Sequence, residues 1–126
     1  MKALIVGGAY QGKEAYVSRE YSLSSISPLQ HIHPQNGAVL VTSLHLLVGE
    51  MLQKGGDPAR YVLNLLNEWE NWVVISNEIG SGIVPIDKNE RELREITGRI
   101  CCEIAARADR VERVICGAVQ RIKGED

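Results

Sequence analysis

Apolar residues follow two rhythms along the chain: short unbroken runs, and stretches in which they recur every three or four positions. The runs at residues 2–6, 38–42 and 72–76 are almost wholly apolar, which predicts strands buried on both faces. A fourth strand is read at 111–116. Between the strands lie helical patterns. Lys13, Glu14, Ala15 and Tyr16 favour a helix over about 13–20. Leu44, Leu47, Val48, Met51 and Leu52 mark an amphipathic helix that ends at Gly55-Gly56. Asp57 as N-cap and Pro58 in the first turn open another, with Tyr61, Leu65, Leu66 and Trp69 on one side. A long helix is predicted over 89–108, with Leu93, Ile96, Ile100, Ile104 and Ala108 facing inward. Its charged run at 90–95 forms a solvated face with i,i+4 pairs. Residues 21–35 are rich in Ser, His and Pro and read mostly as loop, with room for one weak strand.

Strands alternating with helices predict an α/β fold, a mostly parallel sheet flanked by helices and joined by right-handed crossovers. The stretch 118–123 follows the strand at 111–116 too closely for a crossover. It is expected to be an antiparallel C-terminal edge hairpin, turned by Gly117. The 126 residues carry no repeat, linker or low-complexity stretch and read as one domain, 1–126.

Composition narrows the function. A net charge of −2 supplies no electrostatic drive toward nucleic acid or an anionic membrane. No apolar window reaches the roughly 18 residues of a membrane span, and the start MKALIVGGAY does not predict a signal peptide. Cys101, Cys102 and Cys116 form an odd set without CxxC spacing, which fits a reducing cytoplasm better than a disulfide framework. The adjacent Cys101 and Cys102 read as small packing residues of a helix.

The 12 glycines cluster at Gly7-Gly8 with Gly12, at Gly55-Gly56, and at Gly80 with Gly82. The first cluster follows a strand and opens a helix: Gly7, Gly8, Ala9, Tyr10, Gln11, Gly12, Lys13, Glu14. Its spacing is that of a phosphate-binding P-loop, G-x-x-x-x-G-K-[ST], up to the last position. Such a turn aims successive backbone N–H groups inward, and the helix N-terminus adds partial positive charge. Gly7, Gly8, Ala9, Gln11, Gly12, Lys13 and Glu14 are therefore candidate binding residues, with Lys13 reaching the terminal phosphates. The bland reading, a glycine-bearing βα turn with a surface lysine, has about equal weight. Glu14 stands where a hydroxyl normally holds Mg²⁺, and its charge competes with phosphate for the helix N-terminus. A P-loop metal site also uses an acid at the end of a neighbouring strand, where this chain has Thr42 and Ser43.

Glu78 lies between a buried strand and a glycine turn, beyond a strand's carboxyl end, where open α/β sheets place ligands. It is the candidate second catalytic residue, as an acid for metal or base work, alongside Lys13. Asn77 beside it orients a ligand or caps the turn. His31 and His33 would share one side of a strand, a spacing that can bind metal, but with no third ligand nearby two loop histidines is the simpler reading. His45, at the start of a helix, reads as a surface or capping residue.

Residues 74–85, VISNEIGSGIVP, are the most specific stretch of the chain. With the glycine turn, and with Arg91, Arg94, Gly98, Arg99, Ala108-Asp109, Val111, Val114, Gly117 and Lys123, the sequence resembles the bifunctional adenosylcobinamide kinase / adenosylcobinamide-phosphate guanylyltransferase family of cobalamin assembly. The resemblance implies a P-loop α/β domain binding GTP or ATP with Mg²⁺, a cobinamide-type substrate, and a homo-oligomer, a trimer in that family. It also implies a cytoplasmic enzyme. The chain departs from the family pattern at Glu14, for Ser or Thr, at Thr42, for Asp, at Ile86-Asp87, for Glu-Asn, and at Cys101-Cys102, for Asn-Gln. The interval 20–38 is too short for the family segment whose histidine accepts the guanylyl group, of which His31 or His33 would be a relic. Two readings stay open: a nucleotide-dependent transferase of cobalamin biosynthesis, and a catalytically silent relative that binds nucleotide weakly or serves assembly.

Overall fold

A computed structural model describes residues 1–8, 11–27, 29–77 and 87–124. Ten elements follow in chain order: β1 (Lys2–Gly7), α1 (Lys13–Tyr21), β2 (Ile32–Gln35), β3 (Ala38–Val41), α2 (Leu44–Gln53), α3 (Pro58–Asn67), β4 (Trp72–Asn77), α4 (Lys88–Arg107), β5 (Arg110–Ile115) and β6 (Ala118–Lys123). The six strands form one sheet in the order β2-β3-β4-β1-β5-β6. The four central strands run parallel, and each edge strand pairs antiparallel with its neighbour. The α/β fold and the C-terminal hairpin match the sequence reading.

The N-terminal edge does not. Residues 32–35 form a full strand hairpinned to β3, where the sequence suggested mostly loop. The turn is Asn36-Gly37, with both residues at positive φ, 52° and 74°, as a two-residue hairpin requires. Pro34 is tolerated because β2 lies at the edge of the described sheet, where an outward N–H is not needed. Cys116-Gly117 repeats the same device at the other edge, with φ of 50° and 79°.

Two apolar layers sandwich the sheet. Leu4, Val39, Val41, Trp72 and Val74 face α2, α3 and α4, packing on Leu44, Val48, Val62, Leu66, Ile100 and Ile104. Ala3, Ile5, Leu40, Val73, Ile75 and Val114 face α1 through Tyr16 and Val17. Asp57 caps α3 as expected, its carboxylate accepting from the Arg60 N–H at 3.2 Å. The buried stripe of α3 is Pro58, Val62 and Leu66, and Tyr61 of the expected stripe is 45% exposed. That stripe keeps a strict i,i+4 row, and Tyr61 falls one residue off it.

The helix placement fixes where a ligand can enter. The chain leaves β1 toward α1 on one face, while it leaves the adjacent β4 toward α4 on the other. Their ends are in register, Gly7 opposite Asn77. Adjacent parallel strands that depart to opposite faces leave a crevice beyond their carboxyl ends.

Candidate functional site

A cleft of about 380 Å³ occupies that crevice, lined by Gln11, Gly12, Lys13, Glu14, Ala15, Ser43, His45, Leu46, Ile75 and Asn77 among the described residues. The first five come from the glycine turn and the start of α1, Ser43 and His45 from the start of α2, and Ile75 and Asn77 from the end of β4. Of the candidates named from sequence, Gln11, Gly12, Lys13, Glu14 and Asn77 are thus brought together. Gly7 and Gly8 lie just behind, at the base of the turn. Ala9 and Glu78 lie outside the described residues.

Four residues of the turn each have a distinct local reason. Gly7 is demanded by packing: a Cβ there would sit 2.5 Å from the Val114 carbonyl oxygen of β5. Gly12 caps α1 at φ 89°, a left-handed conformation that L side chains rarely adopt. Gln11 clasps the β5–β6 turn, its carbonyl accepting from Gly117 N at 2.9 Å and its side-chain oxygen from Cys116 N at 2.5 Å. Lys13, only 7% exposed, folds back so that Nζ donates to the Gly8 carbonyl at 2.5 Å. The bland reading of Lys13 as a surface residue is therefore corrected, because a buried ammonium is costly without such partners. Glu14 is exposed in the first turn of α1.

Thr42, where an acid was sought, is turned away from this chemistry. It is buried, its hydroxyl lies 3.2 Å from His33 Nε2, and it is not part of the cleft wall. His33 is fully buried on β2, and its Nδ1 accepts from the Ile26 N–H at 2.9 Å. Burial pushes its pKa down. His31 pairs instead with Glu50, at 3.2 Å. The two histidines so serve the hairpin and α2, and no group of three metal-ligating side chains occurs among the described residues. All three cysteines are free. Burial raises the Cys101 thiol, partly offset by a hydrogen bond with Ser76, which fits packing rather than reactivity.

Two features escaped the sequence reading. His45 is part of the cleft wall, its Nε2 3.3 Å from Asn77 Nδ2. Burial first, and then the nearby charges of Lys13 and His31, push its pKa down, so the ring is neutral at pH 7. Only the fold could reveal this, since residues 13, 45 and 77 meet through three separate strand ends. The second is Glu112 on β5, fully buried under α1. It accepts from Tyr16 at 2.7 Å, from the Tyr21 hydroxyl, and from Arg121 Nε and Nη2 at 3.2 Å each. Burial pushes its carboxyl up, but the two phenols and the Arg121 guanidinium outweigh that, and it titrates below its ordinary value.

The fold and the cleft define an open-sheet α/β protein with a glycine-flanked crevice at its strand ends. A sequence profile of the family described as cobinamide kinase / cobinamide phosphate guanyltransferase matches residues 13–122. The chain belongs to that family. Similar proteins include the bifunctional adenosylcobalamin biosynthesis protein CobU of Salmonella typhimurium, 43% identical over 51 residues. The protein of the same name from Escherichia coli is 41% identical over 51 residues. Each match covers 40% of this chain and 28% of the relative, so the chain aligns with less than a third of either relative's length. No helix among the described residues is long and apolar enough to cross a membrane.

Proposed function

We propose that the protein acts in cobalamin biosynthesis and binds GTP or ATP by its phosphates at the turn formed by Gly7, Gly8, Ala9, Gln11, Gly12, Lys13 and Glu14. The observation that carries the reading is the position of Lys13. Its buried ammonium crosses the glycine turn at the mouth of a crevice between oppositely departing strands. An entering phosphate offers Lys13 charged oxygens, which are stronger acceptors than the Gly8 carbonyl. Among the described residues no side chain caps the N-terminus of α1, which leaves its first N–H groups open to the same anion.

Mg²⁺ fits this site in a limited way. The ion commonly uses one or two carboxylates together with ligand phosphates, and Glu14 is the carboxylate that the described cleft supplies. Bound there, the ion would neutralise phosphate charge. Glu14 would hold it while Lys13 steadies the remaining oxygens. In this reading Lys13 and Glu78 are the catalytic pair, the acceptor is a cobinamide-type substrate, and the family resemblance favours a homo-oligomer, a trimer.

Two observations favour a second reading, a catalytically silent relative that keeps weak nucleotide binding or an assembly role. Glu14 replaces the metal-holding hydroxyl, and Thr42, in place of an acid, is engaged by His33. Binding of labelled GTP and ATP to wild type and Lys13→Ala, with and without Mg²⁺, separates the two. Tight Mg²⁺-dependent binding lost in the variant supports the transferase, and weak metal-independent binding supports the silent relative. No binding at millimolar nucleotide overturns the phosphate-turn proposal.

A further inference from the structure

We infer that His45 is a ligand-binding residue of the cleft, donating a hydrogen bond from its imidazole to a phosphate oxygen of the anion held by Lys13. The inference rests on the phosphate-binding reading above and extends it to a residue outside the glycine turn.

Three observations converge. His45 shares the cleft wall with Lys13, Gly12 and Asn77. Its Nε2 has one partner, the Asn77 side-chain amide at 3.3 Å. Its Nδ1 is buried and has no hydrogen-bond partner among the described residues. A neutral imidazole carries one N–H and one lone pair. With the Asn77 amide donating to Nε2, the ring proton sits on Nδ1, and that N–H has no acceptor within the described protein. Leaving a buried donor unsatisfied is unfavourable, and such orphans in native structures call for a specific cause. A ligand oxygen supplies the missing acceptor. To meet that oxygen the ring turns about Cβ–Cγ, giving up the 3.3 Å contact with Asn77. Burial and the Lys13 charge keep the ring neutral while the cleft is empty, so the donor adds to the lysine without repelling it.

A purely structural role makes the opposite prediction from a binding role. His45→Phe keeps the ring volume and deletes both nitrogens, including the unsatisfied one, so its melting temperature should equal or exceed that of wild type. Its affinity for Mg²⁺-GTP and for inorganic tripolyphosphate should fall about tenfold, the worth of one charge-assisted hydrogen bond. His45→Asn places an amide N–H near the Nδ1 position and should recover binding to within about threefold of wild type. Loss of signal on both probes marks a phosphate contact, and loss on GTP alone marks a contact to the nucleoside and overturns the inference. Wild-type affinity in His45→Phe, with binding still lost in Lys13→Ala, overturns the role of His45 and leaves the phosphate reading intact. Equal loss in the Phe and Asn variants overturns the donor assignment. If wild type binds neither probe, the underlying reading fails and this inference with it.

Discussion

Gly7 lies so close to the backbone of Val114 that a Cβ on residue 7 would sit 2.5 Å from the Val114 carbonyl oxygen. The contact joins the end of β1 to β5, on the side of β1 away from β4. Gly7 is therefore explained by sheet packing before any ligand is considered. Gly7→Ala forces backbone to move, an overpacking cost of about 1–3 kcal/mol, and should lower the urea midpoint measurably. Gly12→Ala tests the other half of the turn, since its φ of 89° costs an L residue about 1–2 kcal/mol. A Gly7→Ala protein as stable as wild type would contradict the packing account.

Glu112 couples α1 to the C-terminal hairpin through Tyr16, Tyr21 and Arg121. Glu112→Leu removes the acceptor of the Tyr16 and Tyr21 hydroxyls and one acceptor of Arg121, and each buried phenol left unsatisfied costs about 1–3 kcal/mol. The variant should unfold at clearly lower urea. Tyr21 offers a spectroscopic check. Burial, followed by the hydrogen bond to Glu112, raises its pKa to about 12, so ultraviolet titration should bring at least one tyrosine back toward the ordinary value of about 10 in the variant. An unchanged titration would remove the phenols from the network.

Much of the architecture was legible because local pattern and fold agree. Apolar runs gave the buried strands, and Asp57-Pro58 and Gly55-Gly56 punctuated the helices around them. Residues 32–35 read as no more than a weak strand in a loop, although Asn36-Gly37 is a strong hairpin signal, because Pro34 and the flanking serines favour loop. An edge strand accepts Pro where a central one does not. At the site, Gly12 and Lys13 were legible from spacing alone. His45 and Glu112 were not, since each acquires its meaning from partners 32 and at least 9 residues away. Burial, the quantity that makes them unusual, is a property of the assembled sheet.

Folding stability should fall as pH drops below about 6.5. His33 and His45 both titrate below their ordinary value in the folded chain, chiefly through burial. The unfolded chain therefore binds more protons in that window, so stability rises with pH. The contribution is complete above the unfolded histidine pKa of about 6.5 and is lost as pH falls toward the lower folded values. Glu112 adds a second loss at more acid pH, because its folded pKa is depressed: its contribution is present above about 4.3 and disappears below. Urea midpoints measured at pH 8, 6.5, 5 and 4 should decline in those two stages. His45→Phe should flatten the upper stage without abolishing it, since His33 remains. A midpoint constant from pH 8 to 5 would contradict the neutral, buried state of both histidines.

Gln11 ties the glycine turn to the β5–β6 turn by two hydrogen bonds, of which the backbone one survives any substitution. Gln11→Ala removes only the side-chain acceptor of the Cys116 N–H, at an exposed position where water can replace it. Its stability should therefore drop by no more than about 1 kcal/mol. Binding is a different matter, because a phosphate turn works by holding its N–H groups in place before the ligand arrives. On the proposed phosphate-binding reading, slackening the clasp should weaken Mg²⁺-GTP binding through faster dissociation, with the association rate little changed. Stopped-flow measurement of both rates, set beside a urea titration of the same variant, checks the two expectations together. Unchanged dissociation would show that the turn keeps its shape without the Gln11 side chain, and that the Gly117 N–H to Gln11 carbonyl bond suffices.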